Sequence, residues 1–267
     1  MKKLFISADI EGTCGIVSWE ETEAGGRCYE YFAKQMTREV SAAVEGALAA
    51  GYESTVKDAH DSARNLLPDE LPRSVRLIRG WERGLWCMMA GMQHDTFDAV
   101  AFTGYHSAAK SDGNPLSHTM DTIANRVTLN GRPASEFTIN AYMAAYLGLP
   151  IVFLSGDEAM CDSARELVPG ITTVASKTGM GSAVISRHPQ VVCEEIRAAM
   201  EQALAREDQS DCYLTLPESF TVEVEYTDWN RAQRNAFYPG VVRLDAKTIS
   251  FTATDYFEVM RFMQFCL

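Results

Sequence analysis

A chain of 267 residues can bury one large core or a sheet-based domain with a smaller companion, and two domains are expected. With 46% hydrophobic and 22% charged residues it carries too much apolar material for a disordered chain. A net charge of -12 without a Lys/Arg cluster excludes partners that present a phosphate backbone or an anionic membrane, so neither nucleic acid nor membrane is expected. The amino-terminal apolar run is broken by Asp9 and Glu11 before it reaches export length, and no later run is long enough to span a bilayer. Seven scattered cysteines, without a CxxC pair, fit neither a disulfide framework nor a thiolate zinc site. A cytoplasmic protein is expected, and any metal must be held by oxygen and by some of only five histidines.

In chain order, four short apolar runs (4–8, 53–57, 98–103 and 151–155) are each followed by a helical pattern, the rhythm of a parallel sheet. Between the first two, residues 31–50 form an amphipathic helix with Phe32, Met36, Val40, Val44 and Leu48 on one face, closed by Gly51. Residues 76–78 suit a further strand and 81–92 a helix. The Ser-, Gly- and Asn-rich stretch 107–117 reads as an active-site loop. Asn130-Gly131 marks a hairpin turn, and Glu136 stands at the start of a helix over 137–147. Past Ser186 come a helix (191–206), an alternating strand with Val222, Val224 and Tyr226 inward, a helix near Trp229, strands at 241–244 and 249–253, and a final helix from Tyr256. The expected fold is α/β: a mainly parallel open sheet flanked by helices over 1–188, the metal-binding catalytic domain, and a smaller α+β domain over 189–267, with a discontinuous division as the alternative.

Ligands of open parallel sheets collect at the carboxyl ends of the strands. Those ends carry Asp9 and Glu11, then Asp58 and His60, then His106, then Asp157 and Glu158. Asp9 and Glu11, two apart in an extended segment, present both carboxylates to one side and can reach one ion or a pair; a solvated strand end is the plainer alternative. A lone histidine usually makes one hydrogen bond in a core, but His60 and His106 occupy homologous strand ends, and mixed His and carboxylate shells are typical of catalytic metal sites. Asp58 suits either a helix cap or, preferably, the acceptor that orients His60. His118, closing the polar loop, is divided between loop packing and proton transfer, while His94 and His188 read as structural. Asp157 and Glu158 most simply cap the next helix. Gly179-Met180-Gly181 lacks the Lys-Ser/Thr of a phosphate loop and is discounted.

The segments Ser7-Ala8-Asp9-Ile10-Glu11-Gly12, Asp58-Ala59-His60, Gly104-Tyr105-His106, Ser117-His118-Thr119-Met120, and Glu136 before Asn140-Ala141-Tyr142 together resemble the zinc-dependent D-aminopeptidases of the DppA type, associated with dipeptide transport. The likeness runs from the amino terminus through Ala183 and continues more faintly to the end. It implies two zinc ions per subunit, bridged by Asp9 and completed by Glu11, His60, His106 and Glu136, with His118 serving catalysis. It also implies a decamer of two stacked pentameric rings. Departures are Ala8 where the family often has Val, Ala59 where Ser is common, and Ser135 where Gly is usual; none removes a ligand. The implied reaction is hydrolysis of the amino-terminal residue of short peptides, with D-residues such as D-Ala preferred. The alternative is a peptide-binding component of a dipeptide transport system with a structural metal. A nucleotide-binding sheet domain suffers from the missing glycine fingerprint after the first strand.

Overall fold

Central strands of a parallel sheet are covered on both faces and therefore read as unbroken apolar runs. The computed structural model, which describes all 267 residues, bears this out. Along the first half run β1 (Lys2–Ala8), α1 (Tyr29–Ala49), β2 (Tyr52–Asp58), β3 (Arg76–Ile78) and β4 (Ala99–Tyr105). Next come β5 (Ala124–Leu129), β6 (Arg132–Pro133), α2 (Glu136–Tyr146), β7 (Ile151–Asp157), α3 (Glu158–Leu167), β8 (Thr172–Met180) and β9 (Ala183–Ser186). The chain ends with α4 (Pro189–Ala205), β10 (Phe220–Tyr226), α5 (Trp229–Asn235), β11 (Val242–Arg243), β12 (Thr248–Ala253) and α6 (Tyr256–Cys266).

The first sheet has the order β3-β2-β1-β4-β7-β8-β9, parallel except for β9, which returns antiparallel to β8. Every residue of β4 and β7 is buried. The second sheet, β11-β12-β10-β5-β6, is antiparallel. Its strand β10 alternates as one covered face requires, with Val222, Val224 and Tyr226 inward.

Two apolar cores follow from strand alternation. Leu4 and Ile6 of β1 face α1 and α4, whereas Phe5 faces the opposite way, into a core shared with Phe102, Phe137 and the inward side of the second sheet. Helices α2 and α6 join the sheets there, and Tyr256 Oη donates to the Ile139 carbonyl at 2.8 Å. The sheets do not part at residue 188: β5 and β6 pair with the carboxyl-terminal strands, and α4 lies against α1 on the first sheet.

One local expectation needs correction. Residues 81–92 are not a helix but two short 3-10 turns, Cys87–Met89 and Met92–His94. Left-handed φ angles at Arg83 (64°), Cys87 (43°) and Gly91 (102°) prevent a continuous i to i-4 ladder. The β8–β9 hairpin was not foreseen, and Gly179-Met180-Gly181 lies at its turn. Asn130 and Gly131 do form the β5–β6 turn, both with positive φ.

Candidate metal centre

Asp9 leaves the sheet where β1 and β4 are pressed together. Its amide donates to the Thr103 carbonyl at 2.8 Å, and the Gly12 amide donates to the Gly104 carbonyl at 2.8 Å. Gly104 has a φ of +68°, and a Cβ there would lie 2.1 Å from the Asp9 carbonyl oxygen, so only glycine fits. The chain then carries Glu11 back over the strand ends. His60 follows β2, His106 follows β4, and Glu136 is the first residue of α2, with Ser135 as a cap whose hydroxyl accepts from the Thr138 amide. A carboxylate in that first turn is favoured by the helix dipole.

These side chains converge. His60 Nδ1 lies 3.4 Å from Asp9 Oδ1 and 3.1 Å from Glu11 Oε1. His106 Nε2 lies 3.5 Å from Asp9 Oδ2 and 3.3 Å from Glu136 Oε2, and His118 Nε2 lies 3.4 Å from Glu136 Oε1. His118 stacks on His106 with ring centroids 4.3 Å apart, and the edge of Trp19 meets it.

Each imidazole uses its other nitrogen on a backbone carbonyl. His60 Nε2 donates to Thr22 at 3.0 Å, His106 Nδ1 to Ser107 at 3.0 Å, and His118 Nδ1 to Leu116 at 2.9 Å. A carbonyl can only accept, so in each neutral ring the nitrogen facing the carboxylates carries a lone pair. Lone pairs opposed to carboxylates repel unless a proton or a cation lies between them. Asp9 Oδ2, both Glu11 carboxylate oxygens and His106 Nε2 are buried and make no hydrogen bond. Unsatisfied buried donors and acceptors of this kind are rare and costly, and this nitrogen and oxygen set suits zinc.

The electrostatics are those of a compressed anionic cluster. Burial, reinforced by neighbouring Glu11, pushes the Asp9 carboxyl well above the usual carboxylate range. Burial would raise Glu11 as well, but His60 outweighs it and holds Glu11 well below that range. Burial disfavours charge on the imidazoles, yet Glu11 lifts His60 well above its ordinary value, and Glu136 lifts His106 to about 10. Glu136, despite its burial, is drawn down to about 2 by His106 and His118. Such a cluster demands positive charge, which either protonated imidazoles or a cation ligated by neutral ones supplies.

Three groups have donor atoms close enough to hold an ion: Asp9, Glu11 and His60; Asp9, His106 and Glu136; and Glu11, His106 and His118. The first two share Asp9. All five residues singled out as ligands from the sequence are therefore brought together, and His118 joins them. Asp58 does not orient His60 as expected. Its carboxylate accepts from the Asn65 amide and side chain and from the Leu66 amide, bracing the following loop, because the imidazole points away toward Thr22. Asp157 caps α3 by accepting from the Met160 amide. It also accepts from the Ser107 amide and hydroxyl and from Asn114 Nδ2, which pins the polar loop.

Reasoning from the sequence missed the braces behind the candidate ligands. Ser7, Tyr105 and Asn140 form a buried hydrogen-bonded chain, Ser7 Oγ to Tyr105 Oη at 2.7 Å and Asn140 Nδ2 to Tyr105 Oη at 2.9 Å. These three lie two before Asp9, one before His106 and four after Glu136. That spacing was the available signal. The centre opens into a cleft of about 390 Å³ walled by Trp19, Trp81, Met88 and Met120, with Glu23 and Asp61 also lining it.

Comparison with known proteins places the whole chain in one family. The model of the D-aminopeptidase family, peptidase M55, matches residues 1–265. A D-aminopeptidase of Bacillus subtilis (strain 168) is 30% identical over 264 residues, covering 98% of this chain and 95% of that protein. The solved structure of the Zn-dependent D-aminopeptidase DppA from Bacillus subtilis, described as a self-compartmentalizing protease, superposes with a TM-score of 0.90 at 29% identity. That match covers 99% of this chain and 96% of the other.

Proposed function

Because the chain belongs to the D-aminopeptidase family, we propose that it is a zinc-dependent hydrolase removing the amino-terminal residue of short peptides, with D-residues such as D-Ala preferred. In this reading two zinc ions bind per subunit. Asp9, Glu11 and His60 would hold one ion and Asp9, His106 and Glu136 the other, with Asp9 common to both sets. The observation that carries it is the set of imidazoles tied to backbone carbonyls, with their remaining nitrogens turned toward carboxylates of which Asp9 Oδ2 and both Glu11 oxygens make no hydrogen bond. When bound, the ions supply polarisation of the scissile carbonyl and activation of water near neutral pH.

The remaining work falls to the chain itself. His118 is partly open to the cleft, and its Nδ1 is held by the Leu116 carbonyl, which leaves Nε2 to exchange a proton with the reacting groups. Glu136 Oε1, 3.4 Å from that nitrogen, also accepts from the Met120 amide and is thereby fixed. Trp19, Met88 and Met120 give the cleft apolar walls that limit water around the bond to be broken.

The self-compartmentalizing relative supports a homo-oligomer, and a decamer of two stacked pentameric rings is the assembly proposed. All seven cysteines are free thiols, which suits a cytoplasmic location. No helix is long and apolar enough to cross a membrane. The reading as a peptide-capture component of a transport system with a structural metal finds no support in a family of peptidases.

The test is a panel of D- and L-aminoacyl amides and dipeptides, assayed on zinc-loaded, EDTA-treated and zinc-restored protein. Turnover of D-aminoacyl substrates should vanish with chelation and return with zinc. Undiminished hydrolysis by verified metal-free protein would sink the metal mechanism, and preference for the L-series would sink the D-peptide assignment.

A further inference from the structure

Strand β8 departs from regular pairing where it passes behind the metal centre. Gly156 of β7 is opposite Ala175, but Asp157 is opposite Lys177, so Ser176 is an extra residue in the strand. Such a bulge is rare between parallel strands, and bulges beside functional sites re-aim side chains. In an even strand Ser176 and Lys177 would point to opposite faces. Here both are buried and both reach the loop after β1.

The contacts are specific. Ser176 Oγ donates to the Gly12 carbonyl at 2.6 Å. Lys177 Nζ donates to the carbonyls of Glu11 and Ile16, each at 2.6 Å. Asn114 Nδ2 adds a second donor to the Glu11 carbonyl at 3.1 Å and is itself 3.1 Å from Asp157 Oδ2. On its other edge the same loop is held by the backbone bonds from Asp9 and Gly12 to β4. Lys177 is 1% exposed, and the hydrogen bonds of its ammonium go to carbonyl oxygens and to no carboxylate. A buried ammonium bonded only to carbonyls is an expensive way to fill space that a methionine would occupy.

We propose that Lys177 is a positioning residue of the metal centre: it fixes the backbone at Glu11 so that the carboxylate, neither of whose oxygens is hydrogen-bonded, faces the ion shared with Asp9 and His60. Ser176 and Asn114 complete the clamp. This rests on the two-ion reading above. Lys177 itself touches only backbone oxygens and neither substrate nor reacting atoms.

The experiment is a zinc titration of metal-stripped full-length protein against a competing chelator. The wild type should bind two ions, and Glu11→Gln identifies which step belongs to the ion that Glu11 holds. Lys177→Met should weaken that step by at least about tenfold and leave the other unchanged, the range expected when a ligand's support is removed. Asn114→Ala should weaken the same step to a lesser degree. Tyr226→Phe in β10, which loses a bond to the Cys266 carbonyl of α6, is the control for general destabilisation and should alter neither step. Wild-type affinities for both ions in a folded Lys177→Met protein would overturn the proposal. If that variant does not fold, unchanged affinities in Asn114→Ala would do the same. A wild type that binds no zinc would overturn the two-ion reading and this inference together.

Discussion

His118 differs from the other two imidazoles of the cluster in facing one carboxylate rather than two. It stacks on His106 and is open to the cleft, a placement that suits proton transfer better than ligation. His118→Ala should lower turnover by about 100-fold or more with zinc content unchanged, measured by kinetics and metal analysis on the same sample. Loss of an ion with the side chain would instead make His118 a ligand, through the group it forms with Glu11 and His106. Away from the centre, Glu39 is fully buried, and burial lifts its carboxyl to about 7 against the bonds it accepts from Gln35 and the Cys14 amide. A carboxyl that holds its proton more tightly when folded stabilises the fold at low pH, and that contribution is lost as pH rises from about 4.5 to about 7. Unfolding free energy should therefore fall by up to about 3 kcal/mol more across that interval in the wild type than in Glu39→Gln, measured by urea denaturation. Four of the proposed ligands, Asp9, Glu11, His60 and His106, could be singled out from the sequence because strand ends gather polar groups at one place, whereas Glu136, at a helix start, was implied by the family resemblance. Lys177 could not be singled out: its partner lies 166 positions away, and nothing local distinguishes it from a solvated lysine.

At the scale of elements, the centre depends on how closely β1 and β4 end together. A methyl group at Gly104 would meet the Asp9 carbonyl at 2.1 Å, and the residue already sits at a φ of +68°. Gly104→Ala should cost at least about 2 kcal/mol of stability and disturb zinc binding, read by denaturation and metal titration; a wild-type midpoint would refute the close-approach argument. The strands were readable where both faces are buried, as in β4 and β7, and where one face is, as in β10. The expected helix over 81–92 failed because its apolar spacing is real while its backbone is not helical: Met88, Met89 and Met92 are buried from short turns. In β8 the bulge at Ser176 disrupts the alternation that would have disclosed a strand.

At the scale of the whole molecule, the second sheet is assembled from distant segments. β5 pairs with β10 through Val127 and Val224, and the core between the sheets includes Phe137 and Phe262. Periodicity identifies each strand but not its partner, so the sequence suggested a break near residue 188 that the sheets do not share. The side chains of the proposed metal centre all come from residues 9–136, while α4 and the second sheet support them from without. If the chain assembles as the proposed decamer, light scattering on purified protein should give the mass of ten chains; a monomer at working concentration would contradict that assembly.

The most direct test of the two-ion centre is anomalous diffraction at the zinc edge from crystals of zinc-loaded protein. Two peaks per subunit are expected, both in contact with Asp9, one beside Glu11 and His60 and the other beside His106 and Glu136. A single peak, or zinc bound outside these five residues, would contradict it.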